Sequence, residues 1–188
     1  NELFQIDKHN ALIGSQNGFS IFNTTSKTFT NYKGEAKNKQ NNYLKSITTF
    51  NKDLQGNYWL GTSGLGIMKW NPRNKKIEGF NRKSSNTMLF PDEFIFQSTT
   101  LSDGNLFTLG LGRISLIDIP KLQTYTFRNS NKPLLNLKDI QLMYTLNKDN
   151  YILLKANGLT FHYNYKLDTL IELGNYLKTV FPRISLIK

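Results

Sequence analysis

The 188-residue sequence contains no cysteine, only two histidines and no long apolar run. Without cysteine the chain forms no disulfide, holds no metal through thiolates and offers no cysteine nucleophile, although its compartment stays open. His9 and His162 are far apart and lack a spaced partner, so neither predicts a metal site. No stretch approaches about 18 apolar residues, so the sequence predicts no membrane-spanning helix. We expect neither a metal nor a cofactor.

The sequence also lacks an initiator methionine and a charged, apolar leader at Asn1. We therefore expect an interior piece of a longer protein, from which a signal peptide could have been removed. A content of 38% hydrophobic and 13% aromatic residues is ordinary for a folded domain. The formal net charge of +11 is unusual and predicts attraction to anions.

Short apolar strands and polar or glycine-containing turns recur along the sequence in a fixed order. In the clearest copy, a turn at Gly56-Asn57 joins two strands rich in aromatic and branched residues, and a second turn spans residues 61–66. Such units cover residues 2–32, 44–80, 94–127 and 139–173. The equivalent second-strand positions lie 47, 49 and 45 residues apart, at Gly14, Gly61, Gly110 and Lys155. A period near 45 residues with four strands per repeat is typical of β-propeller blades.

The predicted fold is therefore all-β, a β-propeller fragment of four four-stranded antiparallel blades with essentially no helix. Residues 184–188 match the first strand of the other units and predict the start of a fifth blade. We expect the native propeller to be larger and residues 1–188 to form part of one domain. An open arc exposes sheet faces, so the chain should self-associate or lie beside the rest of its protein.

One motif carries a resemblance to a known family. It is Asp53-x-x-Gly56-Asn57-x-Trp59-Leu60-Gly61-Thr62-x-Gly64-Leu65, with weaker copies that begin at Asp103 and Ile13. This motif resembles the two-component regulator propeller repeat, which builds the periplasmic sensor portions of hybrid two-component histidine kinases in glycan-degrading bacteria. Unit three shortens the second turn to residues 111–114, and unit four has Lys155 where the others have glycine, so roles specific to one blade are in doubt.

The resemblance implies a ligand-sensing, non-catalytic region on the periplasmic side of an inner-membrane protein. It also implies an oligosaccharide ligand, a kinase that receives the signal and a homodimeric receptor. Two alternatives remain. In the first, the propeller only dimerises the receptor, and ligand is held elsewhere. In the second, Asp53-x-x-Gly56-x-x-Trp59 is similar to the Asp-box turn of sialidase propellers, although that turn usually has one residue between Asp and Gly. Such an enzyme would need an arginine cluster, a tyrosine nucleophile and acid partners.

Charge is concentrated on one predicted face of the propeller. In a four-stranded blade, the loops between strands two and three share a face with the connections between blades. We call this the loop face; it comprises roughly residues 14–18, 33–45, 61–66, 81–93, 110–113, 128–139, 155–158 and 174–183. These loops carry thirteen cations, Lys132 and Lys155 among them, and four anions, a net charge of +9. Such asymmetry favours an anionic partner.

Arg82, Arg113 and Arg128 lie on the loop face and are the predicted anion contacts. A guanidinium group offers planar, two-point hydrogen bonding to carboxylate or sulfate. The family resemblance implies a glycan ligand, and the net charge of the loop face favours an acidic one. Nucleic acid is the generic partner of a basic face with interleaved aromatic residues. We consider it unlikely, because the family resemblance points outside the cytoplasm.

The two tryptophans have different expected roles. Trp59 lies in mid-strand inside the repeat motif and is predicted to be inter-blade core. Trp70 stands toward the end of its strand, so we expect it to be more open, and it is the aromatic candidate for ligand contact. The glycines of residues 61–66 and 110–112 are predicted to form turns rather than phosphate loops, because no helix N-terminus follows them.

Overall fold

A computed structural model describes residues 2–33, 46–80, 93–126 and 131–175. The strands of the first sheet are β1 (Leu3–Gln5), β2 (Asn10–Ser15), β3 (Gly18–Asn23) and β4 (Thr28–Lys33). Those of the second are β5 (Ile47–Lys52), β6 (Tyr58–Thr62), β7 (Ile67–Trp70) and β8 (Ile77–Phe80). The third contains β9 (Gln97–Thr100), β10 (Leu106–Leu109), β11 (Ile114–Asp118) and β12 (Gln123–Tyr125). The fourth contains β13 (Ile140–Asn147), β14 (Asn150–Lys155), β15 (Thr160–Asn164) and β16 (Thr169–Gly174).

Each sheet has four strands that are hydrogen-bonded to one another in the order of the sequence. This is the antiparallel meander of a propeller blade, and the all-β, four-blade prediction is confirmed for the described residues. The first strand of the predicted fifth blade, residues 184–188, lies outside the described residues. The assignment of the whole chain to one propeller domain stays a prediction. The chain divides into two compact units, residues 1–98 and 99–188, which are described separately below.

The described residues contain one helix of four residues, in keeping with the prediction of essentially no helix. Helix α1 (Pro133–Asn136) is a single turn with proline at its start, where the missing backbone N–H costs nothing. Its Leu134 and Leu135 are buried in the core of the second unit. Burial of these two apolar side chains therefore gives an otherwise polar connection a helical turn.

Aromatic rings fill the core of the first unit, between the first two blades. Phe19 of β3 lies 5.1 Å from Trp70 of β7, measured between ring centroids, and Tyr58 of β6 lies 5.3 Å from the same ring. All three side chains are buried, together with Leu12 and Phe50. Pairs of this kind contribute roughly 0.5–1.5 kcal/mol each beyond the area they bury. The second unit repeats the arrangement, with Phe107 of β10 5.5 Å from Tyr151 of β14.

An acidic or amide side chain closes the first hairpin turn of every blade. Asp53 is the buried example, and its carboxylate accepts four hydrogen bonds of 2.8–3.0 Å, from the backbone N–H groups of Gln55 and Asn57, the Asn57 amide and the Trp59 indole. The equivalent carboxylates or amides accept backbone N–H groups in the other blades, at Asp7, Asp103 and Asn147. These side chains supply the turn with the partners that its backbone lacks.

The last hairpin turn of every blade, between its third and fourth strands, also has a repeated geometry. The side-chain oxygen of an asparagine or aspartate accepts a backbone N–H two or three residues later, at Asn23, Asn71, Asp118 and Asn164. Four residues after each, a non-glycine residue has a positive φ of 50–59°, at Lys27, Lys75, Leu122 and Asp168. Left-handed backbone is unfavourable for such residues, so the same turn is imposed four times by its hydrogen bonds.

We expect Asp53→Ala to lower the free energy of unfolding by about 2–4 kcal/mol, because the buried Trp59 indole and Asn57 donors lose their acceptor. Urea unfolding followed by tryptophan fluorescence measures this. Asp7→Ala is the matched control, since Asp7 closes the equivalent turn in an exposed position. Equal losses for the two variants would contradict the central role of the buried carboxylate.

Gly61 lies near the end of β6, where Thr49 of β5 and Ile95 of the connection before β9 approach it closely. A Cβ at this position would lie 2.5 Å from Thr49 Cγ2 and 2.8 Å from Ile95 Cγ2. We expect Gly61→Ala to destabilise the protein by about 1–3 kcal/mol through overpacking, measured as the shift in the urea midpoint. Gly56→Asn is the control, because that turn position has open space and asparagine tolerates its positive φ of 84°. A larger loss for Gly56→Asn would contradict the close approach at Gly61.

Candidate ligand-binding site

Within the first unit, backbone hydrogen bonds gather the described loops of the loop face. The N–H groups of Gly64 and Gly66, in the β6–β7 loop, both donate to the Glu93 carbonyl oxygen at 2.8 Å. The N–H of Ser63 donates to Ser46 O at 2.9 Å, so the entry to the second blade joins the same group. The β6–β7 loop therefore lies beside two inter-blade connections, as the loop-face prediction requires.

The second unit brings three loops together in the same way. Gly112, in the β10–β11 loop, accepts a 3.0 Å hydrogen bond from the N–H of Ile140 at the entry to the fourth blade. The carbonyl of Asp139 then accepts one of 2.9 Å from the N–H of Ala156 in the β14–β15 loop. Gly112 has a φ of 71°, and a Cβ there would lie 3.3 Å from Asp139 Cα, so glycine suits this junction.

Each of the three joined loops carries a cation next to its hydrogen-bonded residue. Arg113 follows Gly112, Lys138 precedes Asp139, and Lys155 precedes Ala156. We call these three residues the cationic loop cluster. Arg113 and Lys155 are half-buried and Lys138 is exposed, and the anion among them is the exposed Asp139. A partly buried arginine on a loop that is joined to two lysine-bearing loops is suited to a carboxylate or sulfate.

The structure places only some of the predicted site residues. Arg113 lies in the cationic loop cluster, whereas Arg82 and Arg128 lie outside the described residues. Lys132, which was assigned to the loop face, lies instead beside the β15–β16 turn. Its ammonium is 3.3 Å from the Asp168 carboxylate and 5.7 Å from the centre of the Tyr165 ring. Because the leucines of α1 are buried, this connection turns toward the core. Position in the sequence alone therefore assigned the Lys132 ammonium to the wrong face.

The expectation that Trp70 is the more open tryptophan is wrong. Trp70 is 1% exposed and packs against Phe19, Tyr32 and Tyr58. It lies at the end of its strand, but aromatic rings of the neighbouring blade cover it. The local sequence does not indicate this contact between blades. Trp59 is fully buried, as predicted, and its ring stacks on Phe80 at 5.3 Å.

An aromatic residue that sequence reasoning did not select stands on the loop face. Phe94 is 38% exposed, pairs through its backbone with Ser63, and its ring lies 3.8 Å from the Cβ position of Gly64. An exposed ring of this size next to loop glycines can stack on an apolar ligand surface. The available signal was its place in an inter-blade connection, shortly before β9.

Three tyrosines of the fourth blade have environments that oppose ionisation. Burial raises the pKa of Tyr151 and Tyr163, assisted by the charge of Asp149 for the first and by a hydrogen bond to Asp168 for the second. Burial, with a 2.6 Å hydrogen bond to Asp103, raises the pKa of Tyr165 to about 12. A nucleophilic tyrosine needs the opposite shift, so these three are packing residues.

No group of three or more histidine and carboxylate side chains in the described ranges is placed to hold a metal ion. No helix in the same ranges has the length and apolar character needed to cross a membrane.

The four antiparallel sheets have the strand order of β-propeller blades, and solved structures share this fold. One is the extracellular domain described for a hybrid two-component system of B. thetaiotaomicron, with a TM-score of 0.69 and 18% identity over 90% of this chain. Two more structures are extracellular domains from that organism, described once as that of a one-component and once as that of a hybrid two-component system. Each gives a TM-score of 0.63, with 17% and 16% identity over 92% and 94% of this chain.

The match extends over less than a third of each solved chain, namely 23%, 22% and 25% of its length. No family model matches the sequence, and no curated protein matches it. The resemblance to two-component regulator propellers is therefore confirmed at the level of fold, by extracellular domains of such systems.

We expect the free energy of unfolding to fall as pH rises from about 10 toward 12. In that range the unfolded chain releases tyrosine protons that the folded chain retains on Tyr151, Tyr163 and Tyr165, so the unfolded state binds fewer protons. Urea midpoints measured between pH 9 and 11.5 check this. Tyr165→Phe should flatten the decline, whereas Tyr144→Phe, which removes an exposed hydroxyl, is the control. A tyrosine that ionises well below pH 10 in the folded protein would contradict the packing role.

Proposed function

We propose that this chain is part of the ligand-sensing, extracytoplasmic β-propeller of a hybrid two-component histidine kinase. It lies on the periplasmic side of an inner-membrane protein, recognises an oligosaccharide and passes the binding event to the kinase. The single observation that carries the proposal is the shared fold with extracellular domains described for such systems. The motif that begins at Asp53 supports it independently, because its residues close and pack the turn of one blade.

The proposed ligand is an acidic glycan, with carboxylate or sulfate groups. Support comes from the cationic loop cluster, where three loops joined by backbone hydrogen bonds bring Arg113, Lys138 and Lys155 to one place. Arg113 provides two-point contact to the anionic group, and the lysines raise the local concentration of anions. Arg82 and Arg128 are assigned the same role on their own loops. Phe94 replaces Trp70 as the aromatic candidate, since Trp70 is buried.

The region itself is proposed to be non-catalytic, with the rest of its propeller and a second receptor chain as protein partners. The buried tyrosines of the fourth blade support this, because their raised pKa values make them poor nucleophiles. Signal transfer then depends on binding alone. Such a sensor needs differential affinity for its ligand between two receptor states.

Calorimetry on the natural full-length sensor domain tests the ligand class. The titrants are a neutral oligosaccharide and an acidic one of the same length, each at two salt concentrations. We expect the acidic oligosaccharide alone to bind, and its affinity to fall as salt rises. Arg113→Ala should weaken binding by roughly 10–100-fold, the loss expected for a charge-assisted hydrogen bond, and Arg113→Lys should be intermediate.

Arg73→Ala is the matched control, because Arg73 is an exposed arginine in the β7–β8 turn, away from the loop face. It should leave the affinity unchanged. Binding of only neutral glycans, unaffected by Arg113→Ala, would overturn the acidic-ligand proposal. Dimerisation of the receptor with no glycan binding to this propeller would favour the interaction-module alternative. Hydrolysis of the oligosaccharide by the intact propeller would favour the enzyme alternative.

A further inference from the structure

A polar cavity lies at the β7–β8 hairpin of the second blade, away from the loop face. Its volume is about 140 Å³, well above the roughly 10–15 Å³ that one water molecule needs. It is lined by side chains of the two strands and of the turn between them, namely Lys69, Asn71, Asn74, Lys76 and Glu78. Every one of these side chains can form hydrogen bonds, so the cavity suits a small polar ligand.

The backbone of the turn fixes which atoms of the two asparagines are available to a ligand. Asn71 Oδ1 accepts the N–H of Arg73 at 2.9 Å, and Asn74 Oδ1 accepts the N–H of Lys76 at 2.9 Å. With each oxygen held by the backbone, the amide nitrogen of each side chain remains as a donor. Neither nitrogen has a hydrogen-bond partner among the residues that the structure describes. The turn therefore supplies the cavity with two amide donors.

The available amide of Asn71 distinguishes the second blade from the first and fourth. In those blades the equivalent amide donates at 2.9 Å to an asparagine of the second strand, Asn23 to Asn10 and Asn164 to Asn150. Asn57 has the matching position in the second blade, where its own amide donates to the Asp53 carboxylate at 2.9 Å. No hydrogen bond joins Asn57 to Asn71 in the described part of this blade, so the Asn71 amide stays available.

Lys69 adds a positive charge that no neighbouring carboxylate neutralises. Its cross-strand neighbour Glu78 forms an ion pair with Lys76 instead, with 2.7 Å between Nζ and Oε1. The Lys69 ammonium lies 5.8 Å from the centre of the Trp59 ring and has no ion pair within the described ranges. Two lysines against one glutamate give the cavity a net charge of +1. The cavity is thus rich in donors, and its one carboxylate is already paired.

The fold does not require these charged side chains. The last hairpin turn has the same hydrogen bonds in all four blades. The positions of Lys69, Lys76 and Glu78 nevertheless hold neither lysine nor carboxylate in the other three blades, where they are Ile21, Thr28 and Thr30, then Leu116, Gln123 and Tyr125, then His162, Thr169 and Ile171. The charges of the second blade therefore point to a role other than folding.

We propose that this cavity binds a tetrahedral oxyanion, sulfate or phosphate, either as a free ion or as an ester on a larger molecule. Lys69 supplies the charge, and the amides of Asn71 and Asn74 supply N–H donors. Hydrogen bonds to a charged acceptor are the stronger kind, and sulfate and phosphate present more acceptor oxygens than a carboxylate does. The site is separate from the glycan site proposed on the loop face and does not rest on it.

Calorimetry on the natural full-length sensor domain tests this proposal, at constant ionic strength. The titrants are inorganic sulfate, inorganic phosphate and a sulfate ester of a monosaccharide. Lys69→Met removes the ammonium but keeps an unbranched side chain, and we expect it to weaken binding by roughly 10–100-fold. Lys75→Met is the matched control, because Lys75 is exposed in the same turn and does not line the cavity. It should leave the affinity unchanged.

Asn71→Asp is the second variant, and it keeps the turn intact. Asp118 has the equivalent position in the third blade, where its Oδ1 accepts the N–H of Lys121 at 3.1 Å. The substitution therefore preserves the backbone acceptor but replaces the amide donor with a carboxylate oxygen. We expect it to weaken oxyanion binding by at least roughly tenfold, with an unchanged melting temperature, and it serves if Lys69→Met does not fold.

The three titrants identify the source of the oxyanion. Binding of the free ions would support a free-ion ligand, and binding of the ester alone would support a group carried on a larger molecule. Failure of all three to bind, or equal affinities for Lys69→Met and Lys75→Met, would overturn the proposal. An ion that also binds to the cationic loop cluster contributes equally to both lysine variants, so their difference reports on this cavity. Oligosaccharide binding is not measured, so this proposal and the sensor function can fail separately.

Discussion

Every blade depends on one constraint, the hydrogen bonds that a side-chain oxygen accepts from the backbone of its own turn. A four-stranded meander needs three reversals of direction, and each reversal leaves backbone N–H groups without a strand partner. Asp53 satisfies two of these groups and two buried side-chain donors at once. In doing so it fixes Trp59, whose fully buried ring stacks on Phe80. The motif therefore has a structural role in its blade, whichever family it indicates.

The strands could be predicted from the sequence because their signals are local. Alternating apolar residues and Gly, Asn or Asp turns placed all sixteen described strands, since a register shift of one residue would turn every apolar side chain outward. Helix α1 could not be predicted in this way. Its Leu134 and Leu135 pack in a core formed by residues far away in the sequence. A single helical turn is also too short to give a periodic pattern that predicts it.

The candidate site was only partly predictable, for a related reason. That Arg113 would stand on the loop face follows from chain order within a blade. The Arg113 loop meets the loops of Lys138 and Lys155 only through two backbone hydrogen bonds between blades, which the sequence does not indicate. Trp70 and Lys132 were misplaced because a neighbouring blade or a buried helix decides their surroundings. Contacts between elements, rather than propensities within them, determine which residues meet a ligand.

The left-handed residue of the last hairpin turn, between the third and fourth strands, bears on how these blades diverge in sequence. It is a lysine in two blades, a leucine in the third and an aspartate in the fourth, although glycine would be the easiest choice. Because an asparagine or aspartate four positions earlier sets the turn, almost any residue is accepted there. The spacing of a few polar side chains is then the same in every blade, while the residue at the left-handed position differs. The four blades of one chain can therefore differ widely in sequence and still have the same fold.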